Sequence, residues 1–325
     1  MFEEENMTAK ASKHGKAFEY AILSELRKEV KGRIKFTVVK NSQLEKALAS
    51  FRSLENREIK EYRAAANAGV LMLLRREPLI LHPKSKEALL ELFLQSDQKG
   101  GDGDVRDIVL KRESENWEIG ISAKKDHKAL KSSRLSSDID FGTNWLEHPC
   151  SQDYKYQVNR IFDSLLRNPE YKTWNDLGEY KLDVYESILL AFKAELERIY
   201  ETDQAKIPER LIRYLIGRFD FHKIMKIGPD TQLQSFNLNG ELGKNSGTQK
   251  SRPKSNKLPL PKEIYKIQFK DNESKNTLLV ACDQGWLISF RIHNASTRLE
   301  KSLKFDITLE GQPYKLETQI TPWDG

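Results

Sequence analysis

The sequence predicts an α/β protein: a mixed central sheet flanked by helices, then a helical middle region and a β-rich C-terminal segment. Three observations carry that expectation. Apolar residues recur at helical spacing near the N-terminus and again through 154–225. Two short apolar runs, 105–111 and 117–124, read as strands joined by the polar turn Arg112–Asn116. After residue 259 the pattern becomes strand-like again.

Taken in order, residues 14–31 predict a helix, with Phe18, Ile22, Leu23 and Leu26 on one stripe. Residues 42–76 continue in that style, with Leu44, Leu48, Phe51 and Leu54 among many charges. Pro78 and Pro83 punctuate the next stretch, and Glu87–Leu94 predicts a helix. Lys99-Gly-Gly-Asp-Gly predicts a turn before the paired strands. Residues 154–225 read as helical throughout, and their stripes, such as Val158, Ile161, Phe162 and Leu165, belong to a core. Gly228–Leu258 is rich in Gly, Ser, Asn, Lys and Pro and predicts a long loop. Ile264–Phe269, Thr277–Cys282, Trp286–Ile292 and Ser302–Leu309 predict strands. In the last, Leu303, Phe305, Ile307 and Leu309 face one way, while Lys304, Asp306 and Thr308 face the other. The expected blocks are 1–150, a catalytic core; 151–227, helical; 228–258, a basic loop or linker; and 259–325, a β-rich recognition segment.

Composition bounds the function. The chain has 325 residues, 38% of them apolar, and a net charge of +6, which favours a polyanionic partner. Its two cysteines form no CxxC pair, and its six histidines form no HExxH array, which argues against a zinc site. The chain lacks a run of about 18 apolar residues, and its acidic start is unlike a signal peptide. A cytoplasmic protein without a membrane span is expected.

The chemistry gathers around the two central strands. Asp107 heads the first, and Ser122 and Lys124 share a face of the second, about 6–7 Å apart. If the strands pair, Asp107 lies one strand spacing away, about 5 Å, and the Ala123 carbonyl points at the same region. Phosphodiester hydrolysis needs a divalent ion to stabilise charge and to help generate hydroxide. Magnesium takes hard oxygen ligands, commonly carboxylates with water and phosphate. A nearby lysine orients the attacking water or offsets phosphate charge. This is the layout of a two-strand nuclease site. Glu118 shares the face, but stands roughly 20 Å along the strand from Lys124 and is assigned to the surface or to a supporting role. Asp104 competes with Asp107, which is preferred because Ile108-Val109-Leu110 follows it directly.

The arrangement resembles the PD-(D/E)xK nuclease superfamily, in the variant with serine in place of the usual acid. Several segments resemble the HaeIII-like Type II restriction endonucleases more narrowly. They include Gly15-Lys-Ala-Phe-Glu19-Tyr, Gly103-Asp-Val-Arg-Asp107-Ile-Val and Glu118-Ile-Gly-Ile-Ser122-Ala-Lys124. Ser133-Arg-Leu-Ser-Ser-Asp-Ile-Asp140-Phe-Gly, Tyr214-Leu-Ile-Gly-Arg-Phe-Asp-Phe-His-Lys and Ser289-Phe-Arg-Ile-His-Asn-Ala-Ser-Thr with Ser302-Leu-Lys-Phe-Asp complete the set. The resemblance implies a restriction-endonuclease-like fold and a Mg2+-dependent endonuclease of double-stranded DNA. It implies a GGCC target cut in the middle to blunt ends, and a cognate DNA methyltransferase protecting the same site. Asp107 matches the superfamily's metal-binding aspartate and Lys124 its lysine. Ser122 departs from the common acid, so another residue supplies the missing carboxylate. Glu19 on the first helix is the first candidate, followed by Asp140 and Asp138. A palindrome suits a homodimer, and a monomer nicking each strand in turn fits as well.

For DNA contact, Ser289, Arg291 and His293 alternate with Phe290 and Ile292, so one polar strand face can meet a groove. Arginine bidentate to guanine is the commonest specific contact. Arg291 is the leading base contact, with His293, Asn294, Ser296 and Lys304 nearby. Lys125, His127, Lys128, Lys131 and Arg134 follow the catalytic lysine and suit backbone phosphates. The basic loop Lys250–Lys257 is a further candidate. Two other functions share these features: a repair or mismatch-type nicking nuclease, and a non-catalytic basic DNA-binding protein.

Overall fold

The structure, a computed structural model, describes residues 2–96, 103–126, 128–136, 138–244 and 256–323, with side chains from residue 12. It divides into two compact units assembled from non-consecutive segments. One comprises Met7–Lys128, Gly217–Leu258 and Lys315–Gly325; the other comprises Met1–Asn6, Ala129–Ile216 and Pro259–Tyr314. The four consecutive sequence blocks therefore cut across the units. The expected Lys99 turn, for residues 99–102, and most of the Lys250–Lys257 loop lie outside the described residues.

The first unit carries α1 (Phe2–Val30) from Met7 onward, α2 (Ser42–Arg52) and α3 (Asn56–Arg76). Its strands are β1 (Phe36–Val38), β2 (Leu90–Leu94), β3 (Ile108–Arg112) and β4 (Trp117–Lys125), then β6 (Phe221–Ile227), β7 (Asp230–Phe236) and β12 (Glu317–Pro322). They form one seven-stranded mixed sheet in the order β1-β2-β3-β4-β6-β7-β12, with β1–β2 and β4–β6 parallel. Asn41 caps α2 by accepting from the Leu44 N–H, and a reciprocal Glu55–Glu58 capping box starts α3. Asn116, at φ 47°, turns the chain between β3 and β4. Helix α3 lies close on the sheet because Gly69 lacks a Cβ, which would come within 2.6 Å of Ile224 Cγ2. Phe18, Ile22, Leu26, Val70 and Leu73 bury against Ile108, Leu110, Ile119 and Ile121 to make the core.

Three expectations change here. The predicted helix Glu87–Leu94 contains strand β2 instead: Leu90, Leu92 and Leu94 alternate into the core, and pairing on both sides overrides local helix preference. The predicted helical run to 225 ends earlier, because Phe221–Ile227 is a buried inner strand. The predicted loop Gly228–Leu258 contains β7, whose buried alternates include polar Thr231 and Ser235 and so show no apolar period. Those polar groups are satisfied: Thr231 donates to the Ala65 carbonyl, and Ser235 bonds His222, which also bonds the buried Glu77.

The second unit holds β5 (Ala129–Ser136), β8 (Ile264–Phe269), β9 (Thr277–Cys282), β10 (Leu287–Asn294) and β11 (Ser302–Leu309). They form an antiparallel sheet in the order β5-β11-β10-β9-β8. Helices α4 (Phe141–Leu146), α5 (Gln152–Arg167), α6 (Tyr180–Thr202) and α7 (Ile207–Ile216) complete it. Phe290 and Phe305 pack from the sheet onto Trp145 and Phe192. The predicted C-terminal strands thus form a sheet of their own, while β12 joins the first. Among the described residues no helix is long and apolar enough to cross a membrane.

Candidate active site and nucleic-acid face

The strand ladder places Asp107. Its N–H donates to the Ile121 carbonyl at 2.8 Å, just where β3 begins to pair with β4. Asp107 therefore lies beside Ser122 in the sheet. Its Oδ2 accepts from the Ala123 N–H at 2.7 Å, from Ser122 Oγ at 3.2 Å and from the Lys124 ammonium at 3.3 Å. Ile121 aims its carbonyl towards β3, and the two-residue period aims the Ala123 carbonyl to that side as well. Three consecutive residues of β4 thus converge on one carboxylate.

Ser122 is only 2 % exposed and donates to Asp107. It holds the aspartate in place and brings no charge of its own. Glu19, on α1, is 6 % exposed and bonded to Lys16 at 3.2 Å. Burial first, and then the charge of Asp107, pushes its carboxyl up to about 8; Lys16 and Lys124 act in the opposite sense. The Asp107 charge thus acts on the Glu19 carboxyl in the same sense as burial. Among the described residues no three His, Cys, Asp or Glu side chains form a ready-made cluster. The available donors are two carboxylates and a backbone carbonyl, all hard oxygens, and this set fits magnesium.

Asp140 has other work in the second unit. It caps α4 by accepting from Thr143 N–H, accepts from Cys150 N–H, and pairs with Lys155 at 2.9 Å. Burial opposes ionisation there, but these bonds outweigh it and hold the carboxyl below its ordinary range. Asp138 lies in the same unit and is exposed.

Asp104 likewise has a separate role. Arg106 grips it through Nε at 2.8 Å and Nη2 at 2.7 Å, and Gln95 adds a bond at 2.8 Å. Arg106 also reaches Glu118 at 2.6 Å and lies 3.9 Å above the Phe219 ring. Gly120 makes room for this arginine, since a Cβ there would come within 1.9 Å of Arg106 Cδ. Glu118 supports Arg106, in keeping with its distance from Lys124 along the strand.

Sequence reasoning missed Lys223. It lies on β6, paired with Ser122, and is 2 % exposed. The available signal was a pair of adjacent ionisable residues, His222 and Lys223, set between the apolar Phe221 and Ile224-Met225.

In the second unit, the outward face of the five-stranded sheet carries the expected basic residues in register. Arg134 stands across from Lys304, and Lys304 across from His293. The next row sets Ser132, Asp306, Arg291 and Thr277 side by side. Arg291 and Arg134 are exposed. His293 lies 3.3 Å from Asp306, and that bond, ahead of opposing burial, lowers the aspartate's pKa. Arg134 bonds Ser302 and lies 3.6 Å from Glu300.

Other candidates differ. Asn294 is engaged in its own turn: its N–H donates to the Tyr185 hydroxyl, its Oδ1 accepts from that hydroxyl, and its Nδ2 donates to the Ser296 carbonyl. Ser296 Oγ donates to the Arg298 carbonyl. Lys131 turns inward, donating to the Tyr214 carbonyl and lying 3.6 Å above the Tyr214 ring. Lys125 pairs with neighbouring Asp126 at 3.0 Å. His127 lies outside the described residues.

Residues 15–313 match the family model of the HaeIII restriction endonuclease. The chain is similar to the Type II restriction enzyme HaeIII of Haemophilus aegyptius, with 39% identity over 321 residues, covering 98% of this chain and 100% of that protein. No solved structure matches the chain. The chain belongs to the HaeIII restriction endonuclease family and is a site-specific deoxyribonuclease.

Proposed function

We propose that the enzyme is a Mg2+-dependent Type II restriction endonuclease that cuts double-stranded DNA at GGCC, in the middle, to blunt ends. The observation that carries the catalytic part is the convergence of Ser122, Ala123 and Lys124 on Asp107 Oδ2, with buried Glu19 in the same field. Family membership supports the GGCC target, a partner methyltransferase protecting the same site, and action in the cytoplasm. A two-fold symmetric target suits a homodimer.

Asp107, Glu19 and the Ala123 carbonyl would hold the ion, which when bound would neutralise charge at the phosphate and acidify a water molecule. Ser122 and the Ala123 N–H fix the Asp107 rotamer. Lys124, held by Asp107, presents its ammonium to the attacking water and to the phosphate. On the outward face of the second sheet, Arg291 reads a guanine edge. Arg134 and Lys304, with His293 in the same row, suit phosphates.

A digest of unmethylated plasmid in magnesium, with fragment ends sequenced, tests this. Discrete fragments with blunt ends inside GGCC are expected. Nicks at mismatches, cutting at another sequence, or cutting without a divalent ion would each refute the corresponding part.

A further inference from the structure

Lys223 occupies the same cross-strand row as the catalytic carboxylate. The β3–β4 ladder puts Asp107 beside Ser122, and the parallel β4–β6 ladder puts Ser122 beside Lys223. The Lys223 ammonium donates to the Lys128 carbonyl at 2.7 Å and has no ion-pair partner among the described residues. An ammonium has three N–H donors, and a neutral carbonyl takes one of them. Burying such a charge without a counter-ion is unfavourable. Burial, and next the charges of Lys124 and Lys128, push its pKa down to about 7, while Asp107 pulls it up. The ladder sets Lys223 one strand from Ser122 and two strands from Asp107. Costs of this kind persist where function uses them.

We propose that Lys223 is a further cation of the cleavage site, binding the DNA phosphate under attack. This rests on the assignment of Asp107 and Lys124 as the cleavage site. In hydrolysis the water oxygen bonds phosphorus, one ester P–O bond breaks, the water gives up a proton, and the leaving oxygen takes one up. Lys223 exchanges no atom in this step. Its ammonium hydrogens bond the phosphate oxygens and offset the negative charge that builds on them. A DNA phosphate is the counter-ion that the buried lysine lacks. The Lys128 bond keeps the ammonium in place, since that residue lies just beyond Lys124 on the same chain segment.

The test uses the full-length enzyme and a duplex with one target site. Single-turnover cleavage in magnesium, DNA affinity in metal-free buffer, and the thermal midpoint are measured for K223M, K223R and D107N. For K223M we expect cleavage to fall about 100-fold or more, with affinity within about threefold. Its midpoint should hold or rise, because an apolar side chain replaces a buried charge. K223R should stay within about tenfold of wild type. Wild-type cleavage by K223M overturns the proposal. So does a loss of cleavage that tracks a fall in midpoint and that K223R does not restore, since that is the behaviour of a structural lysine. Should K223M fail to fold, K223Q decides: slowed cleavage in a folded protein supports the proposal, and a wild-type rate overturns it. If D107N still cuts, the site assignment itself is wrong. If D107N is inert and K223M is not, only the role of Lys223 falls.

Discussion

The Lys124 ammonium lies 3.3 Å from Asp107 Oδ2 across 17 residues of sequence. Both groups are about one-fifth exposed, so the pair is reachable by substrate yet partly shielded from water. Asp107→Asn keeps the shape and an acceptor oxygen but removes the charge that holds a divalent ion. It should lower magnesium-dependent cleavage by about 1,000-fold, as should Lys124→Ala, with DNA affinity largely intact. Plasmid digestion and mobility-shift titration check both. Cutting by the double variant would show that the site lies elsewhere.

Asp104 offers the matched control three residues away. Its carboxyl is held below the ordinary range: burial raises it, but the Arg106 and Gln95 bonds outweigh that. A depressed carboxyl contributes stability above its unfolded pKa, and that contribution is lost as pH falls through the folded value. Asp104→Asn should therefore destabilise the enzyme at pH 7 by on the order of 3 kcal/mol, with the difference shrinking in acid. Urea denaturation across pH measures this. Folded D104N should still cut, unlike D107N, and an inert but stable D104N would move the metal ligand from 107 to 104.

Glu19 behaves in the opposite sense. Its carboxyl is raised from 4.5 to about 8, first by burial and then by Asp107. The folded state binds that proton more tightly, so ionisation costs stability between those values and above them. Without divalent ions, Glu19→Gln should raise stability at pH 8.5 by on the order of 2 kcal/mol, and the gain should vanish near pH 4. In magnesium the same variant should lose most cleavage. A variant less stable at pH 8.5 would mean that the Lys16 bond dominates and that Glu19 is a structural acid.

The contrast among these acids shows what was legible in sequence. The proximity of Asp107 and Lys124 was readable because each adjoins an apolar strand, and a hairpin is a local structure. Glu118 was separable by distance along one strand. Lys223 was not readable, since its link to Ser122 depends on a parallel pairing between segments about a hundred positions apart, joining 120–125 to 221–226. Strand β7 stayed hidden because hydrogen bonds to Ala65 and His222, rather than apolar side chains, let Thr231 and Ser235 face inward. Asn294 looked free in sequence because nothing local announces its bonds to Tyr185, 109 positions away.

Arg291 separates reading from mere attraction. It is exposed on the outward sheet face, beside Asp306 and one row from the basic series Arg134, Lys304 and His293. A bidentate guanine contact contributes about 1–3 kcal/mol of discrimination, whereas a phosphate contact contributes equally on any sequence. Arg291→Ala should therefore weaken binding to a GGCC duplex by about 10- to 100-fold and change binding to an unrelated duplex little. Lys304→Ala should weaken both alike and flatten the salt dependence by about one counter-ion. Fluorescence-anisotropy titrations at several salt concentrations, on both duplexes, distinguish the two behaviours. Equal losses on the two duplexes for R291A would reassign Arg291 to the phosphate backbone and send the search for the base-reading residue to another part of the chain.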